Sequence, residues 1–188
     1  MKLLHISDTH NLHNQLTNLP EADIIVHTGD FADRGTEPEV LDFLNWFIAL
    51  PYKYKIFVTG NHDLCLRNAK NIKNLPENVF FLQDSGCEIE GVKFFGLAYG
   101  HPEELIPEIT DVVITHEPPV MILDETVNTH WGNAMIRNRV LAIHPRYHLF
   151  GHAHDAFGIE EQNGIVFSNG ALTDDFYQLK HFPNAIVL

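Results

Sequence analysis

Residues 23–35 read Asp23-Ile24-Ile25-Val26-His27-Thr28-Gly29-Asp30-Phe31-Ala32-Asp33-Arg34-Gly35. A short β-branched run closed by a glycine and an acid is the signature of a buried strand that ends in a tight turn. The same pattern lies on both sides. Upstream, Lys2–Ser7 is a strand leading to Asp8-Thr9-His10, and Leu12–Leu19 is a short helix stopped by Pro20. Downstream, Pro38–Leu50 has helical spacing (Val40, Leu41, Leu44, Phe47, Ile48), with Thr36 as N-cap, Glu39 three residues on and Pro51 as the stop. Tyr54–Thr59 is a third strand, running into Gly60-Asn61-His62-Asp63. Strands alternating with helices predict a mostly parallel sheet with helices on its faces.

Beyond residue 78 the pattern turns to short strands: Val79–Leu82, Cys87–Ile89, Val92–Leu97, Asp111–Thr115 and Tyr147–Phe150, with a helix over Gly132–Ile143. Phe157–Glu161 and Ile165–Ser168 flank Asn163-Gly164, a hairpin signal. Ala185–Leu188 is a final strand. Two packed sheets with helices outside fit this order, in one domain spanning 1–188 with no linker or repeat.

The chain has 188 residues, 45% hydrophobic and 20% charged, with a net charge of −13. That charge excludes a broad nucleic-acid or anionic-membrane surface, which needs a basic face. No stretch approaches the roughly 20 apolar residues of a membrane span, and the apolar run after Met1-Lys2 is too short for a leader. Cys65 and Cys87 form no C-x-x-C pair or zinc-type spacing, so a reducing cytoplasm is expected. Nothing in the sequence signals an oligomeric state.

Histidine is the anomaly, with 13 in this length. Five segments place His, Asp or Asn just after a strand: Asp8-Thr9-His10, Gly29–Gly35, Gly60–Asp63, Thr115-His116-Glu117 and Gly151-His152-Ala153-His154. In an open α/β sheet the carboxyl ends of the strands are where ligands collect. Residues two apart in extended chain point the same way, so Asp8 with His10, and His152 with His154, should each aim two ligands at one cavity. Mixed O and N donors without thiolate suit manganese, iron, zinc or nickel rather than a structural zinc site.

D-x-H, G-D-x-x-D-x-G, G-N-H-D, a lone His and G-H-x-H, in this order, resemble the calcineurin-like metallophosphoesterase superfamily. The stretches at 27–31, 114–119 and 148–154 are similar to the small metallophosphoesterase-domain-containing phosphodiesterases. The resemblance runs from residue 5 to about 170. It implies a four-layer α/β/β/α sandwich of two mixed sheets and two divalent ions, manganese first, with iron, zinc, nickel or cobalt as alternatives. Asp8, His10 and His154 would bind the first ion and Asn61, His116 and His152 the second, with Asp30 bridging. His62 would assist the leaving oxygen, oriented by Asp33 or Asp63, and Asn61 and His62 would also touch substrate. Arg34, placed as in the protein Ser/Thr phosphatases, is a substrate-phosphate candidate. The short Tyr99–Thr110 segment implies an open site without a cap.

The expected activity is hydrolysis of a small phosphate diester, such as a cyclic nucleotide, by hydroxide held between the metals. The alternatives are a phosphomonoesterase, which Arg34 favours, and a non-catalytic scaffold, which the intact ligand set disfavours. The remaining histidines have plainer readings. His5 is a buried partner of backbone or carboxylate, and His27 a candidate to support the ligands from behind. His13, His101, His130, His144, His148 and His181 are surface or packing residues, and of these His13 and His101 lie on loops that can face the cavity as weak substrate candidates. Trp46 is core. Trp131 can pack a nucleobase, with core or surface packing as the simpler reading.

Overall fold

The computed structural model describes residues 1–127 and 129–188. The first half of the chain builds one sheet. Its strands are β1 (Lys2–Ile6), β2 (Ile24–His27), β3 (Tyr54–Phe57) and β4 (Val79–Phe81). The second half builds the other, from β5 (Ser85–Ile89), β6 (Val92–Gly96), β7 (Val112–Ile114), β10 (Tyr147–Phe150), β11 (Gly158–Gln162) and β12 (Ile165–Asn169). Between β7 and β10 in sequence lies a small separate hairpin, β8 (Glu125–Thr126) and β9 (Thr129–His130). The last strand, β13 (Asn184–Val187), returns to the first sheet. The orders are β13-β1-β2-β3-β4 and β11-β12-β10-β7-β6-β5. β1 to β4 run parallel and β13 antiparallel. β6, β7, β10 and β12 are parallel, with β5 and β11 antiparallel at the edges.

The central strands of both sheets, such as β2, β7 and β10, are buried on both faces, which is why they read as continuous apolar runs. Leu3, Ile24, Val26 and Ile56 meet Val112, Ile114, Tyr147 and Leu149 between the sheets. On the outer face of the first sheet, Leu4, Ile6, Ile25 and Phe57 pack on α1 (Glu37–Ala49) through Val40, Phe43, Leu44 and Phe47. On the outer face of the second, Val113, Phe150 and Phe167 pack on α2 (Ala134–Ile143) through Ile136 and Val140. The layers are therefore α/β/β/α, as expected.

Local signals explain the boundaries. Glu39 reaches back to the Thr36 backbone N–H at 2.8 Å, closing the capping box of α1. Asn133 caps α2 by accepting from the N–H groups of Met135 and Ile136. Asn163 and Gly164 both have left-handed φ, 52° and 75°, as a type I′ hairpin requires.

Two local expectations differ from the structure. The helix expected over 12–19 is only a 3₁₀ turn, His13–Gln15. Eight residues before a proline cannot repay helix nucleation, and His13 instead buries its ring against Phe43 and Trp46. The β8–β9 hairpin was not foreseen, because two-residue strands carry no periodicity. Among the described residues no helix is long and apolar enough to cross a membrane.

Candidate metal centre

The carboxyl ends of β1, β2 and β3 from one sheet and of β7 and β10 from the other open on the same edge. Asp8, His10, Asp30, Asn61, His116, His152 and His154 follow those ends. The structure places them in overlapping groups: Asp8 with His10 and His154, His10 with Asp30 and His62, and Asp30 with His116 and His152. Asn61 joins the last group through Oδ1, 3.0 Å from His116 Nε2.

The pairs two residues apart do not converge by extended geometry. Asp8, His10, Asp30 and His152 all have positive φ, between 39° and 69°. Such backbone is uncommon outside glycine and clusters at functional sites. At His152 (φ 69°) the kink separates its ring from that of His154, which begins a 3₁₀ turn. The two rings enter different groups, where an extended chain would have sent both to one.

Each carboxylate is pinned through one oxygen and presents the other. Asp8 Oδ2 accepts from the His152 N–H at 3.0 Å, leaving Oδ1 buried without a hydrogen-bond donor, 3.4 Å from His154 Nε2. Asp30 Oδ1 accepts from the His62 N–H at 2.8 Å, and Oδ2 lies 3.2 Å from His116 Nε2. The imidazoles are set the same way. His116 Nδ1 donates to the Thr28 carbonyl at 2.9 Å and His154 Nδ1 to the Asp174 carbonyl at 3.0 Å, so their Nε2 lone pairs aim inward. His10 Nε2 and His154 Nε2 approach to 3.3 Å. An orphaned carboxylate oxygen surrounded by inward-facing ring nitrogens fits a divalent cation.

Electrostatics carry the same signature. Burial opposes charge on His116, but Asp30 and Asp8 overcome it and raise that imidazole to about 10. Burial also opposes charge on His154, and Asp8 raises it to about 8. Burial holds His10 and His152 down at about 4. Without a cation, the buried acids recruit protons onto their neighbours.

Asp63 is fully buried, and its carboxylate is turned away from His62 into the backbone. It accepts from the N–H groups of Asp30 and Gly60, each at 2.8 Å, and of Ala32 at 3.0 Å. Burial and the Asp30 charge push it up to about 8, against the pull of those donors. Asp63 thus ties the β2 and β3 loops together. Asp63→Ala would orphan three buried N–H groups, at about 1–3 kcal/mol each. The melting temperature should fall by at least roughly 6 °C, with partial recovery in Asp63→Asn. A fall under about 2 °C in thermal denaturation would count against this role.

His62 is held by a different group than the sequence suggests. Its Nδ1 donates to the Asp33 backbone carbonyl at 2.6 Å, and neither acid's carboxylate touches it. Arg34 stands outside the cleft. Its side chain is 83% exposed, with Nε 3.7 Å from the Asp33 carboxylate, because Glu39 draws the Arg34–Thr36 backbone into the start of α1. His13 bonds Asp42 and His101 bonds Asp84, so neither faces the cavity.

Three fully buried histidines stand behind the ligands, each on a threonine hydroxyl. His27 Nε2 meets Thr9, between Asp8 and His10, at 3.0 Å. His5 Nε2 meets Thr28 at 3.1 Å, with Ser168 on its other nitrogen, and His148 Nε2 meets Thr115 at 2.9 Å. His5 therefore pairs with hydroxyls rather than with backbone or carboxylate. Burial lowers all three to about 3, so they are neutral.

The cleft above these residues has a volume of about 440 Å³ and is lined by Asp30, Asn61, His62, Trp131, His152, His154, Asp175 and Tyr177. The last part of that wall was missed in the sequence. After β12 the chain runs beside the end of β1, where Leu172 N–H donates to Ser7 O and the Thr173 hydroxyl to Asp8 O. It then swings Tyr177 over the site. The signal was an aromatic pair, Phe176-Tyr177, directly after two acids in a loop.

The calcineurin-like phosphoesterase family profile matches residues 1–156. A Caenorhabditis elegans protein of the UPF0046 group is 34% identical over 97% of this chain and 73% of its own length. Metallophosphoesterase domain-containing protein 1 of Homo sapiens is 29% identical over 97% of this chain and 69% of its own. Among solved structures, the phosphopantetheinyl hydrolase of Mycobacterium tuberculosis superposes with a TM-score of 0.68 at 13% identity, covering 94% of this chain and 90% of that one, a likeness of fold.

Proposed function

The chain belongs to the calcineurin-like phosphoesterase family and is thereby a metal-dependent phosphoesterase, and from that premise we propose that it is a phosphodiesterase acting on a small diester, such as a cyclic nucleotide. The observation that carries the proposal is that seven potential ligands from two sheets meet in overlapping groups around Asp8 and Asp30, with one Asp8 oxygen buried and lacking a hydrogen-bond donor. Asp8, His10 and His154 would hold one divalent ion, Asn61, His116 and His152 a second, with Asp30 shared. Manganese is the first choice for this donor set, and iron, zinc, nickel and cobalt satisfy the same chemistry. When bound, such ions polarise phosphoryl oxygens and make hydroxide available at neutral pH.

The chain's own contribution is proton placement and orientation. The Asp33 carbonyl fixes the His62 ring and leaves Nε2 facing the cleft, placed to protonate the departing ester oxygen. Charge in the lining supports a diester over a monoester. No Lys or Arg lines the cleft among the described residues, and Asp175 adds a negative charge at its rim. A monoester dianion carries one more negative charge than a diester and finds no guanidinium to meet it. The monoesterase alternative drew on Arg34, which lies in solvent. Two unpaired cysteines support a cytoplasmic location.

Metal-stripped protein reloaded with Mn²⁺ should hydrolyse bis-p-nitrophenyl phosphate in preference to p-nitrophenyl phosphate, with both activities lost on chelation. Arg34→Ala should change either rate by no more than about twofold, as for an exposed side chain away from the chemistry. Monoester preference, together with a selective monoester loss in Arg34→Ala, would overturn the diesterase reading.

A further inference from the structure

Two aromatic side chains line the cleft, on opposite groups of ligands. Trp131 lies 5.6 Å from the His152 ring, centre to centre, and is 51% exposed. Tyr177 stands edge-on to His10 at 4.6 Å and lies 6.2 Å from His62, with 45% of its surface exposed. Trp and Tyr rings with one part packed and one part wet are the kind enriched where a partner binds.

Both are held by a buried or turn-forming acid that fixes the segment around them. Asp124, 1% exposed and outside the ligand set, clamps the segment carrying Trp131. Its Oδ1 takes the His130 ring Nδ1 at 2.8 Å, its Oδ2 the Gly132 N–H at 2.9 Å and its carbonyl the Trp131 N–H at 3.1 Å. Gly132 packs so closely on Val120 that a Cβ there would lie 2.4 Å from the Val120 Cα. Tyr177 sits at φ 56°, an outlier for a bulky residue. The turn that imposes it is built on Asp174 Oδ1, which accepts from Phe176 N–H at 2.9 Å and Gln178 N–H at 3.1 Å. The Asp174 carbonyl also carries His154. Preorganised, half-exposed aromatic faces bind flat groups at low entropic cost.

We propose that Trp131 and Tyr177 are the specificity-determining walls of the cleft, Trp131 stacking a flat aromatic substituent on the non-leaving arm of a phosphodiester and Tyr177 flanking the leaving group. The sides follow from His62, which faces the departing oxygen and neighbours Tyr177, whereas Trp131 neighbours His152. The proposal rests on the diesterase reading above. A cleft of about 440 Å³ exceeds what a phosphate fills and suits a ligand with ring substituents.

The test uses two probes with the same leaving group on the Mn²⁺-loaded protein. Bis-p-nitrophenyl phosphate has a second ring on its spectator arm, and methyl p-nitrophenyl phosphate has a methyl group there. Trp131→Ala should lower kcat/KM for the bis-aryl probe relative to the methyl probe by roughly 2- to 10-fold, the worth of an aromatic contact, through KM and not kcat. Trp131→Phe should restore most of the ratio. Tyr177→Ala should lower both probes in parallel. Unchanged kcat/KM for both probes in Trp131→Ala overturns the proposal, and an equal loss on both overturns the assignment of sides. If the parent protein turns over neither diester, the diesterase reading fails by itself and stacking is read by binding instead. In a Trp46→Phe background, phenyl phosphate should give a saturable change in Trp131 fluorescence that methyl phosphate does not. Identical responses to the two would overturn the stacking.

Discussion

Replacing His62 with alanine should lower kcat for a phosphodiester by about 10²–10⁴-fold, the usual worth of a positioned general acid, and leave the bound metal in place. The ring is half-buried and makes one side-chain hydrogen bond, to the Asp33 carbonyl. Its removal therefore leaves no buried group without a partner, and thermal stability should move by under roughly 1 kcal/mol. The loss should shrink for esters whose leaving group needs no proton, such as p-nitrophenolate, and be largest for alkoxides. Metal content by elemental analysis and kcat with the two classes of leaving group decide the matter. Equal losses for both classes would remove the proton-transfer role, and loss of metal would make His62 a ligand.

Metal removal should show in stability as well as in turnover. A cation that binds only the folded chain at 100 times its Kd stabilises it by about 2.7 kcal/mol. For a chain of this size that is roughly 5–10 °C in melting temperature. Chelation should cost that increment, and Mn²⁺ should restore it. Asp30→Ala should abolish metal-dependent turnover and flatten the melting-temperature response, because Asp30 belongs to both the His10 and the His116 groups. A variant that keeps the full metal-induced shift would show that Asp30 joins nothing. Acid should weaken metal binding, since protons already favour His116 and His154 beside the buried carboxylates.

Much of this was legible beforehand, for identifiable reasons. Strands buried on both faces write themselves as apolar runs, and each ligand segment follows one of them directly. Glu39 three residues after Thr36 and the Asn163-Gly164 pair are local rules that the tertiary structure leaves alone. What escaped depends on distant parts of the chain. The left-handed φ at Asp8, His10, Asp30 and His152 is imposed by partners such as the His152 N–H on Asp8, 144 residues apart. The Asp33 carbonyl that orients His62 is backbone, and any residue supplies one. Tyr177 reaches the site only because the chain after β12 lies along β1, which no periodicity announces. Trp131 was visible as a residue, but its exposure over His152 follows from the Asp124 clamp.

The ligand set straddles a seam. Asp8, His10, Asp30 and Asn61 come from the sheet built by the first half of the chain, and His116, His152 and His154 from the other. The final strand, β13, then closes the first sheet against β1. The amino-terminal half supplies four of the seven candidate ligands, and only the group of His10, Asp30 and His62 lies wholly within it. The two groups that span the seam, Asp8 with His10 and His154 and Asp30 with His116 and His152, exist only once the two halves have docked.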